Sequence, residues 1–289
     1  MIGPVDLRPL APSVLANLQQ WPGEPSLAVV GKNGVISGFD TGRTYPLASV
    51  TKLLSALTLL SAVGDGIIAI DDPVGPPGAT LRHLLAHASG IGFRDDTIRA
   101  NPGSRRIYSN TGIDLAAAHL SERTGNSFQT EMRNRVLLPL AMNETSLEGP
   151  PSKGGVASIG DMALLAAELL TPRVVSAEAI VSLTTVAYPG LGGFLPGFGY
   201  HADNVWGLGA EVRGHKMPHW TSPYNSPTTF GHFGISGSFV WIDQTAGLAC
   251  VALSSVVFDE WAVTAWPATS TSVLASHALK GEVDELSEL

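Results

Sequence analysis

The sequence contains a single cysteine in 289 residues, no cluster of basic side chains and no long apolar run. One thiol excludes a disulfide framework, and the place of Cys250 in the apolar run 247–254 predicts a buried side chain. With 17 Lys and Arg against 25 Asp and Glu, the net charge is −8, so nucleic acid is not an expected partner. Because no window reaches ~18 uninterrupted apolar residues, a membrane is not an expected partner either.

The two ends of the chain carry no functional motif. Residues 1–9 have neither the positive start nor the apolar stretch of a secretory signal. We therefore expect a cytoplasmic protein, or a secreted one if a leader has been removed from the chain. The acidic stretch 281–289 is typical of a solvated or frayed tail.

The pattern of apolar residues alternates between β-type and helical segments. Residues 26–31 and 34–40 flank an Asn33-Gly34 pair, which is a strong hairpin signal. Helical patterns cover 12–20, the apolar segment 49–63, and then 80–88, 113–124, 127–138, 158–170 and 176–184. Further β runs occupy 205–212, 228–233, 236–242 and 247–256, before a helical stretch, 261–279, that Pro267 is expected to interrupt.

Strands at both ends, with helices between them, predict one sheet built from both parts of the chain. We expect an α/β (α+β) fold in which an antiparallel sheet is flanked by helices. Residues 1–75 and 200–289 are predicted to form an α/β sandwich lobe, and residues 76–199 an inserted all-helical lobe. A ligand is expected in the cleft between them.

Ser49 and Lys52 lie three residues apart at the start of the apolar helix, so their side chains share one helical face. A serine hydroxyl becomes a strong nucleophile when a neighbour takes its proton, and a buried lysine can lose its charge and accept that proton. Ser-x-x-Lys also arises by chance, with serine as a helix cap and lysine in solvent. The pair therefore needs support from other motifs.

Two further segments offer such support. Tyr108-Ser109-Asn110 precedes a predicted helix, where Tyr108 could share a proton with a lysine and Asn110 offers both a donor and an acceptor. A half-buried core aromatic and a helix cap are the alternatives for these two residues. The glycine-rich segment 231–237 lies between two β runs, and its glycines allow a close approach to a ligand.

In this order and spacing, the three elements resemble the signature of the serine β-lactamases, penicillin-binding proteins and related esterases: Ser-x-x-Lys, Tyr-x-Asn, then Lys/His-x-Gly. The resemblance is closest to the class C-like branch, because residues 81–91 resemble its HLLTHTSG segment and residues 231–243 its GHTGFTGTSLWID strand. With residues 102–112 included, it spans roughly residues 26–256. It implies the β-lactamase/transpeptidase fold.

The resemblance also implies a role for each site residue. Ser49 would be the acylated nucleophile, Lys52 its proton partner, and Tyr108 the base for attack and the acid for the leaving group. The backbone N–H groups of Ser49 and Ile235 would form the oxyanion hole. No cofactor and no metal ion are implied. The substrate-binding positions are Asn110, His232, Phe233, Gly234 and Ile235.

The expected function is that of a serine hydrolase that cleaves a small ester or amide through an acyl-enzyme. Phe233 stands where β-lactam-directed enzymes usually carry a hydroxyl residue for the substrate carboxylate, which favours neutral substrates. The alternative is a penicillin-binding protein, either D-alanyl-D-alanine carboxypeptidase-like or a β-lactam binder that deacylates slowly. A non-catalytic interaction module is the third possibility, and nothing in the sequence indicates the oligomeric state.

Two other interpretations are weaker. His83 and His87 stand four apart, as in some zinc sites, but Leu84 occupies the position where the metalloprotease pattern needs glutamate. Ser236 as the nucleophile of an α/β-hydrolase would need a closing glycine and a following helix. Residue 238 is instead a serine, and a β run follows.

Overall fold

The computed structural model describes residues 7–287. In chain order, the strands are β1 (Ser26–Gly31), β2 (Gly34–Phe39), β3 (Thr44–Pro46), β4 (Ser146–Leu147), β5 (Gly155–Ser158), β6 (Gly193–Leu195), β7 (Gly199–His201), β8 (Glu211–Val212), β9 (Phe230–Phe233), β10 (Phe239–Asp243) and β11 (Leu248–Leu253). The helices are α1 (Pro12–Leu18), α2 (Thr51–Gly64), α3 (Leu81–Leu85), α4 (Asn110–Thr124), α5 (Phe128–Met132), α6 (Ile159–Leu170), α7 (Ala177–Thr184) and α8 (Glu260–Ser287). Within residues 7–287, no helix is both long and apolar enough to cross a membrane.

The main sheet has six strands in the order β2-β1-β11-β10-β9-β8, and all neighbouring strands are antiparallel. β1 pairs with β11 along its whole length, with Ser26 opposite Leu253 and Gly31 opposite Leu248. Strands from the two ends of the chain therefore lie side by side. The predicted α/β fold with an antiparallel sheet is confirmed, including the hairpin of β1 and β2.

The central strands are buried on both faces because side chains alternate along a strand. In β1, Ala28 and Val30 join an apolar cluster on one face, which includes the apolar side chains of α2 and α6. Leu27 and Val29 join a second, aromatic-rich cluster on the other face. Cys250 belongs to this second cluster, as its apolar surroundings in the sequence predict.

Helix α2 is buried around almost its whole circumference, in keeping with its Leu- and Ala-rich sequence. A 3₁₀ turn, Ala48–Val50, leads into it. The helix ends at Gly64, and Gly66 has a φ of 69°, the left-handed conformation that commonly terminates helices. The residues at the start of α2 are therefore shielded from solvent and held in place by the packing around the helix.

Two predicted elements differ in the structure. Only Glu211–Val212 of the predicted strand 205–212 forms a β-strand. The glycines before it pack closely against two helices: a Cβ atom at Gly207 would lie 2.0 Å from the Leu183 carbonyl oxygen, and one at Gly209 would lie 2.2 Å from the Ala56 Cβ. The chain therefore passes between helices instead of extending as a strand. Pro267 does not interrupt the last helix, because the fully buried Trp266 next to it anchors α8 in the aromatic cluster and offsets the missing hydrogen bond.

The division into lobes at residues 75 and 200 stays a prediction. The segment 76–199 is mainly helical, but it also contains β4, β5 and β6. Helix α6, which lies within that segment, packs against β1 and β11 of the main sheet. A boundary drawn by packing instead of by sequence would group α6 with the sheet.

Candidate active site

Ser49 lies in the 3₁₀ turn that precedes α2, and its half-buried side chain lines a cavity. The preceding residue, Ala48, has a φ of 45°. A residue with a Cβ seldom adopts this left-handed conformation, and such strain often accompanies a functional site. The turn presents Ser49 to the cavity at the N-terminal end of a buried helix.

Lys52 is fully buried one turn further on, and its ammonium nitrogen contacts three oxygen atoms. Nζ lies 2.6 Å from Asn110 Oδ1, 2.8 Å from the Ser152 carbonyl oxygen and 3.2 Å from Ser49 Oγ. The first two oxygens can only accept, so each takes one N–H of the lysine. The remaining hydrogen-bonding direction of the nitrogen points toward the Ser49 hydroxyl.

The charge of Lys52 is finely balanced. Burial lowers its pKa from 10.5 to about 7, with Asp114 opposing the shift and Lys153 adding to it. The amine and the ammonium forms therefore coexist near neutral pH. A neutral Lys52 would direct its lone pair at Ser49, because both of its N–H bonds are taken by carbonyl oxygens.

Tyr108 faces the same pair of residues. The Lys52 nitrogen lies 4.7 Å from the centre of its ring, and the phenol oxygen lies 3.4 Å from His232 Nε2. Burial raises the pKa of Tyr108, and a hydrogen bond with Ser49 opposes this rise. The phenol is therefore protonated at neutral pH and is a proton donor in the site.

His232 at the end of β9 is a neutral neighbour of Tyr108. Its Nδ1 lies 2.7 Å from the Phe233 carbonyl oxygen, which can only accept, so Nδ1 carries the proton and Nε2 accepts from Tyr108. Burial and the nearby Lys52 lower its pKa to about 3. The position of His232 in the structure therefore favours the neutral form of its imidazole.

The end of β9 contacts the serine turn directly. A side chain at Gly234 would lie 2.5 Å from the Leu47 carbonyl oxygen and 3.2 Å from the Ser49 nitrogen, so glycine alone permits this approach. Ile235 is exposed and lines the same cavity. Ser49 and Ile235 therefore line one cavity, and the oxyanion hole formed by their backbone N–H groups stays a prediction.

Phe233 has a structural as well as a lining position. Its ring lies 5.6 Å from the rings of Trp220 and Trp266 and 5.7 Å from that of Phe258. Aromatic pairs at such distances add to the burial energy. Phe233 therefore anchors the strand while presenting an apolar edge to the cavity.

The cavity beside Ser49 is small, about 90 Å³. Its lining is mostly aromatic and aliphatic and contains no lysine or arginine. The one ionisable carboxylate in the lining is that of Glu211. The lining residues are Ser49, Phe93, Tyr108, Leu195, Pro196, Trp206, Glu211, His232, Phe233, Ile235 and Phe258.

Glu211 belongs to a buried ionic cluster that the sequence did not predict. Its carboxylate contacts Lys216 Nζ, and it lies 3.0 Å from His219 Nε2 and 2.9 Å from Trp220 Nε1. Burial acts to raise the pKa of Glu211, but Lys216 and His219 outweigh it and bring the pKa to about 2. The sequence offered one signal for this cluster, which was the position of Glu211 within the predicted strand 205–212.

The alternative site residues of the sequence lie in other environments. His83 Nδ1 accepts from the Thr80 N–H at 3.2 Å, next to α3. His87 is fully buried, and its Nδ1 accepts from the Ser109 N–H at 3.2 Å, so the ring supports the loop that carries Tyr108. Among the described residues, no group of three metal-ligating side chains comes together. The Ser236 hydroxyl lies 3.4 Å from Ser238 Oγ, in a turn that leads to β10.

Several known proteins are similar to this chain in sequence or fold. A β-lactamase from Mycobacterium bovis (Mb2281c) is 45% identical, with a TM-score of 0.89 over 91% of this chain and 99% of that chain. Simvastatin synthase (LovD) from Aspergillus terreus is 14% identical but has a TM-score of 0.74, over 92% of this chain and 99% of that one, which shows a shared fold. Penicillin-binding protein 4* of Bacillus subtilis is 30% identical over 36% of this chain, and the match spans only 31% of that relative's length.

A protein-family model also matches this chain. The model described as "Beta-lactamase" aligns with residues 26–269, which is most of the chain and includes every predicted site residue. The serine turn, the tyrosine loop and the end of β9 all fall within this range. The chain belongs to the β-lactamase family.

Proposed function

We propose that the protein is a serine hydrolase that cleaves small, uncharged esters through an acyl-enzyme on Ser49. The observation that carries this proposal is the environment of the Lys52 nitrogen. Two carbonyl-type oxygens occupy its N–H groups and the remaining position faces Ser49 Oγ at 3.2 Å. With a pKa of about 7, this amine is a base of suitable strength at neutral pH.

In the acylation step, Ser49 Oγ attacks the substrate carbonyl carbon while its proton passes to the Lys52 amine. The oxyanion that forms accepts hydrogen bonds from the Ser49 and Ile235 N–H groups, each such donor being worth ~10²–10³ in rate. The ester C–O bond then breaks, and Tyr108 donates its proton to the leaving oxygen. The Lys52 ammonium returns a proton to Tyr108, so both groups recover their starting states.

In the deacylation step, a water molecule takes the place of the alcohol. Lys52 accepts a proton from the water, and Tyr108 donates its proton to Ser49 Oγ as the acyl-enzyme bond breaks. The acid product then leaves with Ser49 restored. The raised pKa of Tyr108 supports a division of labour in which Lys52 is the base and Tyr108 the acid. The sequence resemblance implies that Tyr108 is also the base for attack, whereas here Lys52 has that role.

The preference for uncharged substrates rests on the lining of the cavity. His232 is neutral, Phe233 has no hydrogen-bond donor, and Glu211 contributes a carboxylate. A substrate carboxylate would lack the charge-assisted hydrogen bond that is worth ~1.5–3 kcal/mol, or roughly ten- to a hundredfold in affinity. The small volume favours a short acyl group.

The test is a comparison of p-nitrophenyl butyrate and nitrocefin as substrates for the native chain, Ser49→Ala and Ser236→Ala. We expect steady ester turnover, lost in Ser49→Ala and retained in Ser236→Ala, with little nitrocefin turnover. Ser236 is the matched control because it is a buried serine of the same wall whose hydroxyl contacts Ser238. Turnover that survives in Ser49→Ala would overturn the proposal.

A second candidate is a β-lactam hydrolase or binder. It is favoured by the 45% identical structure, which is described as a β-lactamase, and by the similarity to a penicillin-binding protein. Intact mass of the native chain after incubation with penicillin distinguishes the two functions. A stable covalent adduct that is absent in Ser49→Ala, without ester turnover, would replace the first proposal with this one.

A further inference from the structure

We propose that Asp114 is a positioning residue that acts on Lys52 through Ser152 and, together with Lys153, sets the pH at which Ser49 is activated. The inference rests on the proposed function, in which Lys52 is the base. It concerns residues outside the three sequence motifs. Neither Asp114 nor Ser152 touches Ser49 in the described structure, so both act through the lysine.

Asp114 and Asn110 share one face of α4, because they are four residues apart. Asn110 contacts Lys52 directly, with its Oδ1 at 2.6 Å from Nζ. Asp114 contacts Ser152 twice: Oδ1 accepts from the Ser152 N–H at 2.9 Å, and Oδ2 accepts from the Ser152 hydroxyl at 3.0 Å. One helix thus supports two of the three oxygens around the lysine.

Ser152 needs such an anchor because it lies in a turn and not in a helix or strand. It is fully buried, and its carbonyl oxygen is 2.8 Å from Lys52 Nζ. A bidentate carboxylate fixes both its amide and its side chain, which leaves the peptide little freedom to rotate. The neighbouring Pro151 carbonyl accepts from Ser55 on α2 at 2.6 Å, so the turn is fastened to both helices.

Two side chains of opposite charge, the exposed Lys153 on this turn and Asp114 on α4, act on the charge of Lys52. Asp114 acts to raise the pKa of Lys52, and Lys153, next to Ser152, acts to lower it. The remaining groups around Lys52 are the ring of Tyr108 and two histidines, His87 and His232, whose own pKa values are lowered by burial. Burial is the largest cause of the lowered pKa of Lys52, and one carboxylate and one ammonium act on that pKa in opposite directions.

The test is the pH dependence of kcat/KM for p-nitrophenyl butyrate in Asp114→Asn and Lys153→Met. Asparagine keeps the shape and one acceptor of aspartate but removes the charge. We expect the acidic limb of the Asp114→Asn profile to move to lower pH, with roughly three- to tenfold higher activity below the midpoint than the native chain. Lys153→Met should move the limb the other way by a similar factor, and the double variant should lie near the native profile.

The controls are Glu122→Gln, an exposed carboxylate on the same helix, and Lys32→Met, an exposed lysine beside β1. They change the net charge equally and should leave the limb in place. A uniform loss of activity at every pH in Asp114→Asn, with an unmoved limb, would mean that Asp114 only stabilises the fold. In that case Ser49-dependent turnover in the native chain would still support the proposed function.

A second measurement covers the case in which the native chain hydrolyses none of these esters. The chain has five lysines, so the titration of their ε-carbons can be followed by NMR, with Lys52 assigned by its loss in Lys52→Met. A Lys52 midpoint near 7 that falls in Asp114→Asn and rises in Lys153→Met supports the inference without any turnover. A midpoint that moves in neither variant overturns it.

Discussion

Among the side chains that the structure describes, two lysines are buried, and their surroundings differ in one respect. Lys52 contacts a serine hydroxyl, a side-chain amide and a backbone carbonyl, all of them uncharged. Lys216 contacts the Glu211 carboxylate as well as two neutral oxygens of residues 204 and 205. Burial lowers the pKa of both lysines, but only Lys216 has a buried carboxylate in contact that acts to keep it charged.

The difference shows how one residue type can serve chemistry in one place and structure in another. Neutral acceptors hold a lysine nitrogen in position but stabilise its charged form less than a carboxylate does, so Lys52 can take up and release a proton near neutral pH. A carboxylate partner fixes the charge, so Lys216 and Glu211 form an ion pair that ties the chain near β8 to the loop at 216–220. The predictions below separate these two roles, in order of decreasing effect.

The largest expected effect is on catalysis in Lys52→Met. Methionine fills a similar buried volume but cannot accept the Ser49 proton, so kcat/KM should fall by ~10²–10⁴. The free energy of unfolding, measured by urea denaturation, should change less than in the Lys216 variant below. A loss of activity under tenfold would mean that Lys52 is not the base.

Lys216→Met should instead affect stability. It leaves the Glu211 carboxylate buried without its cation, which typically costs ~3–5 kcal/mol in free energy of unfolding. Adding Glu211→Gln should restore much of that loss, because a neutral amide has a smaller desolvation penalty. Urea denaturation of the single and double variants measures the coupling, and additive effects would contradict an ion pair.

The smallest effect, when taken over one pH unit, is on the pH dependence of stability. Lys52 has a pKa of about 7 in the folded chain and 10.5 as its ordinary value, so between these pH values the unfolded chain binds more protons. The full free-energy cost of burying the Lys52 ammonium therefore applies below pH 7. As the pH rises from 7 toward 10.5, the free energy of unfolding increases by at most about 1.4 kcal/mol per pH unit. Lys52→Met should remove this rise, seen as a flatter plot of unfolding free energy between pH 7 and 10.

The sequence predicts the parts of the site that depend on local spacing. Ser49 and Lys52 are one helical turn apart, and Tyr108 and Asn110 flank a helix start, where Ser109 rather than Asn110 caps α4. Asp114 and Ser152 are 38 residues apart and meet only because the turn at 150–154 folds over α4. No periodicity in the sequence marks such a contact. The ionic cluster of Glu211 is more local, because its partners Lys216, His219 and Trp220 follow within nine residues, and it was missed because residues 205–212 were predicted to be a strand.

The fold was predictable where the composition of a segment decides its structure. The β-prone run of β1, next to the Asn33-Gly34 turn, and the apolar surface of α2 both lead to the elements that the structure contains. The segment 205–212 has the composition of a strand, but its glycines let it pass against α2 and α7, and this packing decides its path. Packing also decides the structure around Pro267. The burial of Trp266 stabilises the helix by more than the proline destabilises it.

The order of strands in the main sheet has a consequence for how the protein is made. The strand β1 is made before its neighbour β11, which ends more than two hundred residues later, at Leu253. A nascent chain that ends before residue 230 carries Ser49 and Lys52 without the wall formed by β9 and β10. The reactive pair therefore gains its full surroundings only after these strands have been made, and a product that ends before them would lack the site.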